Sequence, residues 1–515
     1  MKRRTFLQGG CLTAAALATP PALAVESMKF SRHPFTLGVA SGYPTPDGFV
    51  LWTRLAPEPL APGGGMQPVV VPVDWEIAAD DAMRNVLRRG QTYASPEWAH
   101  SVHVETAGLD PARPYWYRFS AGGVRSVIGR SHTAPKTLAP LQRLRLAIAS
   151  CQHYEQGYYA AYRRMLQDAP DLVLHVGDYI YESGSAGLRI RRHDASEPYT
   201  LDDYRSRYAL YKSDPDLQAM HACCPWMVIW DDHETDNDYA GDVSEQDDDP
   251  VLFLQRRAAA YRAYYEHMPL PRQAAPFGPH MRLYAQRAFG DLVNLCMLDQ
   301  RQYRAPHACP EPGRRGGRRI SDCVEREHPD RAMLGAHQEA WLGARLGVAQ
   351  TRWNLLAQGV VMAQLDEQPG VGERYWSDAW NGYPSARGRL LQTLLDTRAA
   401  NPVVLSGDIH AFMASDLSLA PERSETPVIA SELVTTSITS QPVSEELLQK
   451  VLPENPNTRF ATGLHRGYLR LDLDARQLRA DLIAMDTVQQ RESGSRVLKS
   501  FVIEAGRAGL QQSRS

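Results

Sequence analysis

Residues able to bind metal or move protons crowd into one short stretch, WDDHETDND, in which Asp231, Asp232, His233, Glu234 and Asp236 stand almost side by side and Asn237 and Asp238 follow. The apolar run 226–230 leads straight into them and is bounded by Pro225, so it reads as a buried strand. Clustered carboxylates at the end of a buried strand are costly unless a cation neutralises them, and a metal centre is the simplest answer. The carboxylate of Asp232 and the amide oxygen of Asn237 suit a hard cation, with Glu234 either a ligand or the group that orients one.

Three further constellations carry the same chemistry. In DLVLHVGDYIYE, Asp178 follows a glycine at a strand-to-loop turn, where one carboxylate can bridge two metals. Tyr181, three residues on, would offer a phenolate suited to trivalent iron. In LSGDIHAF, Asp408 and His410 are one residue apart, and alternate positions of an extended segment point the same way. Cys151 ends LRLAIASC and is open to three readings: a nucleophile with His153 or His233 as its base, a metal ligand, or a buried or disulfide-bonded thiol. In LDQRQYR, Arg301 is either a clamp for phosphate oxygens or a structural partner of Asp299.

The elements that must position these groups form an α/β pattern from residue 141. Apolar strands (LRLAIAS, DLVLHVGD, WMVIWDD, LVNLCMLD, WNLLAQG, PVVLSGD) alternate with helical stretches such as 251–268 and 337–350. Most of these strands end in ionisable residues, and in α/β sheets sites form beyond the carboxyl ends of strands. Before this region, residues 30–135 read as a small all-β domain of fibronectin or immunoglobulin type. Near the end, LVTTSITS reads as a strand, GYLRLDLDARQLRADLIAMDTV as a hairpin, residues 496–510 as an amphipathic helix, and the last residues as a frayed tail.

The N-terminus has Arg3-Arg4, then Phe6-Leu7, a weakly apolar stretch and Ala22-Leu23-Ala24, the pattern of a twin-arginine export signal over residues 1–24. Its partner would be the twin-arginine machinery and its destination the periplasm or beyond, where disulfides form. Cys309 and Cys323 bracket a Gly/Arg/Pro-rich loop and are expected to pair; Cys296 reads as a buried hydrophobe, and Cys223-Cys224 stay unassigned. A net charge of −3 gives no basic field for nucleic acid, and no long apolar run follows the N-terminus to anchor the chain in a membrane.

Taken together, ASCQHYEQGYYAAYRRM, LHVGDYIYE, WDDHETDNDYAG, LDQRQYR, HQEAWL and LSGDIHAF resemble the alkaline phosphatase D family in order and spacing across most of residues 35–500. The resemblance implies a metallophosphoesterase core of two packed sheets flanked by helices over 141–500, with a C-terminal tail at 501–515. It implies phosphomonoesterase and phosphodiesterase activity on a phosphate-ester substrate, with one Fe³⁺ and one or two Ca²⁺. Carried over, the iron ligands fall on Cys151, Asp178, Tyr181 and the Asp408/His410 pair. The calcium ligands fall on Asp178, Asn237 and Asp232. Where the family has a second asparagine after the acidic block, this chain has Asp238.

The expected mechanism is in-line attack by a metal-bound hydroxide, with Arg301 on the phosphate and His233 or His153 moving the proton to the leaving group. Two alternatives are a dedicated phosphodiesterase acting on a phosphate-containing polymer and an exported metal- or phosphate-binding protein without turnover.

Overall fold

The structure, a computed structural model, describes residues 29–187, 189–193, 195–421 and 426–512. The export signal read over 1–24 and the Ser-Arg-Ser tail lie outside the described residues.

In chain order the first part supplies β1 (Val39–Thr45), β2 (Gly48–Arg54), β3 (Val71–Ala78), β4 (Val86–Ala94), β5 (Ser101–Glu105), β6 (Pro114–Ala121), β7 (Val124–Arg125) and β8 (Gly129–His132). Then come β9 (Leu144–Ala149), α1 (Ala160–Asp168), β10 (Leu172–Val176), α2 (Leu201–Lys212), α3 (Pro215–Cys223), β11 (Trp226–Ile229) and α4 (Pro250–His267). The second half adds β12 (Ala285–Phe289), β13 (Val293–Met297), β14 (Arg319–Ile320), α5 (Gly335–Gly347), β15 (Trp353–Ala357), β16 (Tyr375–Trp376), α6 (Pro384–Asp396) and β17 (Pro402–Ser406). It closes with β18 (Phe412–Leu417), β19 (Ala430–Val434), α7 (Glu445–Val451), β20 (Thr458–Thr462), β21 (Gly467–Leu473), β22 (Gln477–Met485), β23 (Ser495–Glu504) and β24 (Gln511–Gln512).

Two large mixed sheets dominate. One runs β24-β23-β22-β21-β9-β10-β11-β1-β2-β5, the other β12-β13-β15-β17-β19-β18-β20. Their centres are parallel: β9, β10 and β11 in the first, β13, β15, β17 and β19 in the second. The near-continuous apolar runs of these strands follow from burial on both faces. In β13, Val293, Leu295 and Met297 face the core between the sheets, while Cys296 and Leu298 join Leu342, Leu346 and Leu390 of α5 and α6 on the outer side. Burial pushes the Cys296 thiol up to about 12, as suits a packing residue. Tyrosines of α2 and α4, among them Tyr208 and Tyr264, cover the first sheet.

The N-terminal strands form a sandwich whose halves belong to different sheets. β3, β4, β6, β7 and β8 make a sheet of their own. β1, β2 and β5 instead extend the large sheet, where β1 pairs in parallel with β11. Phe49, Leu51, Val73, Ile77, Tyr117 and Phe119 fill the space between the two halves.

Two expectations fail near the C-terminus. The segment 496–510 is no helix: β23 pairs antiparallel with β22 along its length, and β24 pairs back onto β23. Phe501 and Ile503, two apart, are the buried side chains, a strand period. LVTTSITS is a strand only as far as Val434, and its remainder is a loop. Cys309 and Cys323 are disulfide-bonded. Cys223 and Cys224 are free.

Candidate active site

Six strand ends build the site with one repeated geometry. Cys151, Asp178 and Asp231 each lie two residues beyond the ends of β9, β10 and β11; Asp299, Gly359 and Asp408 lie two beyond β13, β15 and β17. The parallel strands of each sheet end on the same side, which brings the loops that carry these residues to that end of the sheet. Glycines let the loops close: a Cβ on Gly177, whose φ is +115°, would stand 2.5 Å from Cβ of Asp231, and one on Gly359 would stand 2.6 Å from that residue's carboxyl carbon. Cys151, Asp178, Asp408 and His410 all take left-handed backbone, with φ of 57°, 58°, 68° and 54°. Such conformations cost about 1–3 kcal/mol each and gather where surrounding structure imposes them.

Two clusters of potential ligand atoms result. Cys151, Asp178 and His410 offer donors within 4.8 Å of one another, and so do Asp178, Asp232 and His233. Asp178 belongs to both. Tyr181 stands at the first cluster, its hydroxyl 2.8 Å from Asp178 Oδ2 and 3.0 Å from His410 Nε2. The ring of His410 is oriented by Nδ1, 2.6 Å from the Gln441 carbonyl, so Nε2 faces inward. Of the Asp408/His410 pair, His410 is the one that meets Cys151 and Asp178. Asp408 lies in the same field, its acid held well above the usual range by burial and by Asp231.

Asp232 is fixed by backbone N–H groups of the following loop, from His233 at 2.9 Å and Asp238 at 2.7 Å. Asn237 is half-buried, its amide donating to Glu245 at 3.0 Å. Asp238 turns to another segment, accepting the Gly317 N–H at 3.0 Å. Glu234 is an orienter: it accepts backbone N–H bonds from Asp231 (2.9 Å), Asp178 (3.2 Å) and Tyr179 (2.6 Å), tying two strand ends together.

The electrostatics are those of a site short of positive charge. Burial raises the acid of Asp178 well above the carboxylate range, and neighbouring Asp232 and Asp231 add to it. Burial and Asp178 likewise push the Cys151 thiol and the Tyr181 hydroxyl up. Asp178 Oδ1 is buried without a hydrogen-bond partner. An orphaned oxygen on the carboxylate that belongs to both ligand clusters fits bound cations, which would remove the penalty that burial imposes on these anions. The donor types differ as well: thiol, phenol, imidazole and carboxylate on one side suit a transition metal, and the oxygens of Asp232 and Asn237 suit a hard cation.

His233 is held by Glu182, whose Oε2 is 2.7 Å from Nδ1. Burial draws the imidazolium down, but Glu182, Asp232 and Asp178 outweigh it and leave His233 well above its ordinary range. Two expectations need correction. His153 is unsuited to donate a proton: burial keeps it neutral far below its ordinary range, Nδ1 accepts the Glu155 N–H, and its ring packs 4.5 Å from that of Tyr181. Arg301, expected as a phosphate clamp or a partner of Asp299, is instead committed to two other carboxylates. It is fully buried, paired with Asp231 and, at 2.7 Å, with Asp378. Asp299 takes only its backbone N–H.

Three participants were missed. Glu182 closes the very motif that supplied Asp178, four residues on, and its spacing was a usable signal. Asp378 gathers Arg301, Arg304 and His307 at 2.6–2.8 Å, but follows β16, a strand of only two residues that leaves no apolar run in the sequence. Ser440 donates to the Cys151 carbonyl at 2.7 Å and contacts the Tyr181 hydroxyl at 2.8 Å, from the loop expected as a strand.

A two-sheet core with a charged rim at the carboxyl ends of its parallel strands is an architecture that places a ligand site at that rim. Residues 146–482 match the family model of the PhoD-like phosphatases, and residues 19–135 that of the PhoD-like phosphatase N-terminal domain. The chain belongs to the PhoD-like phosphatase family. It is 42% identical to alkaline phosphatase D of Bacillus subtilis (strain 168), over 99% of this chain and 89% of that protein. A solved structure titled as that of PhoD superposes with a TM-score of 0.91 at 42% identity, over 95% of this chain and 94% of the other.

Proposed function

We propose that this protein is an exported, metal-dependent phosphoric ester hydrolase, a phosphomonoesterase that also cleaves diesters. The observation that carries the reading is Asp178: one carboxylate common to two ligand clusters, with a buried oxygen lacking any partner. Cys151, Asp178, Tyr181, Asp408 and His410 would hold iron. Asp178, Asp232 and Asn237 would hold calcium. The bound cations would neutralise phosphate oxygens and favour attack by water on phosphorus.

The chain's own residues then divide the remaining work. Glu234 keeps the Asp178 and Asp231 loops at fixed separation. Glu182 holds Nδ1 of His233, which leaves Nε2 to give a proton to the departing oxygen. Arg301 steadies the carboxylates from behind through Asp231 and Asp378. The pattern of Arg3-Arg4 and Ala22-Leu23-Ala24 supports export through the twin-arginine machinery to the periplasm or beyond.

The test pairs elemental analysis of the purified protein with turnover of p-nitrophenyl phosphate and bis-p-nitrophenyl phosphate, with and without chelator. Chelator-sensitive hydrolysis of both esters by protein containing iron and calcium is expected. A metal-replete protein that cleaves neither ester overturns the reading. A Cys151→Ala variant with full iron content and full rate overturns the thiolate ligand alone.

A further inference from the structure

Where β1, β12 and α5 meet, a pocket of about 340 Å³ is walled by Arg282, Arg287 and Arg345 together with Tyr43, Tyr284 and Trp341, and no carboxylate lines it. Some arginines elsewhere pair with acids, as Arg256 with Asp236 and Arg304 with Asp378, and others are held by backbone carbonyls, as Arg207 is by those of Tyr181 and Glu182. Here ring faces take that place. The Arg282 guanidinium lies 4.7 Å from the centre of the Tyr284 ring, and that of Arg287 lies 5.6 Å from Tyr43. Tyr284 and Trp341 pack on each other at 4.9 Å and form the aromatic wall.

A ring face holds a guanidinium without using its in-plane N–H groups, so these arginines keep both charge and donors. Arg287 spends one N–H on the Gln286 carbonyl at 2.8 Å, and its Nε is buried without an acceptor. Glu105 acts on Arg287 only from a distance, and its Oε1 takes the Arg272 N–H. Among the described residues none of the three arginines pairs with a carboxylate. Arg282 and Arg345 are exposed and reach the pocket from its open side, while Arg287 brings a buried donor without an acceptor; three guanidinium groups converging on one cavity without a carboxylate complement a ligand with several acceptor oxygens and more than one negative charge.

We propose that this pocket binds a phosphate-class oxyanion, separately from the carboxylate-rich centre. The two sites have opposite polarity: one gathers anions around cations, the other cations around an anion. The pocket also sits at the working end of the molecule. Ala285 pairs with Met297, two residues before Asp299, so Arg282 and Tyr284 lie at the end of the sheet from which the catalytic loops arise. The oxyanion could be free inorganic phosphate or the phosphate of an ester whose ring lies on Trp341.

The test is equilibrium dialysis of metal-replete protein against radiolabelled inorganic phosphate, wild type beside R287M/R345M. Wild type is expected to bind phosphate at one site more than the variant, or at that site at least about tenfold more tightly. Initial rates on p-nitrophenyl phosphate should stay within about twofold of each other, since the substituted residues lie outside the candidate active site. A second variant, R282A, changes an exposed side chain and is expected to weaken the same binding without affecting folding. Equal phosphate binding by all three proteins overturns the proposal. AMP added in an Asp178→Asn background, where hydrolysis should be blocked, separates the sources: displacement of the pocket phosphate assigns the site to esters, and retention assigns it to free phosphate. Phosphate binding is read without turnover, so this result stands or falls apart from the proposed activity.

Discussion

Glu234 offers the sharpest single perturbation. Its carboxylate accepts three backbone N–H groups, from Asp178, Tyr179 and Asp231, all buried. Glu234→Ala leaves three donors without acceptors, each costing about 1–3 kcal/mol, while water entering the vacated space recovers part of that. A net loss of about 3–5 kcal/mol is expected. Glu234→Gln keeps an oxygen for two of the donors but presents its NH₂ to the third, so its loss should be about 1–2 kcal/mol. The same bonds set the separation of Asp178 and Asp231, so metal content should fall with stability, more steeply in the alanine variant. Urea unfolding followed by circular dichroism gives the first quantity, and elemental analysis of the same samples gives the second. An alanine variant within about 1 kcal/mol of wild type, or one that keeps its full metal content, refutes the role given to Glu234.

Three further outcomes are expected. Glu182→Gln should lower kcat by about ten- to a hundredfold with metal content unchanged, because His233 loses the carboxylate that holds its proton; steady-state rates on p-nitrophenyl phosphate measure this. Lys212 is buried over the Trp52 ring, and burial lowers its amine to about 7. The unfolded chain therefore binds the extra proton between pH 7 and about 10.5, so wild-type stability should rise across that window, by at most about 5 kcal/mol, and Lys212→Met should be more stable near pH 7 and lack that rise in urea titrations. Removing the Cys309–Cys323 bridge by double substitution to alanine should cost about 2–3 kcal/mol, read as a lower urea midpoint.

Much of the fold was legible because parallel strands buried on both faces leave uninterrupted apolar runs, and those runs end where the site begins. Cys151, Asp178, Asp231 and Asp408 stood out for that reason. The C-terminal strand was misread because Val497, Leu498, Phe501 and Val502 also satisfy helical spacing, and only pairing with β22 decides between the two. His153 and Arg301 had the right chemistry for catalysis, yet their environments were invisible. Whether an arginine meets solvent or two buried carboxylates depends on a loop near residue 378, some 77 positions away. Asp378 itself left no trace, since β16 before it is too short to show as a strand, and a carboxylate there looks like any solvated one.

The pairing of β1 with β11 gives the N-terminal segment a task beyond packing. Without it, β11 would end the large sheet with its hydrogen-bonding edge open, beside fully buried Trp226. Such an edge invites other chains to add to it. Contacts across the seam reinforce the pairing: the Tyr43 hydroxyl donates to the Val228 carbonyl, and the Trp52 indole to that of Glu266. A protein cut between residues 135 and 141 should therefore aggregate through this edge instead of yielding a smaller soluble enzyme. The leading segment is in effect an intramolecular guard, and it binds the N-terminal strands and the region from residue 141 into one folding unit.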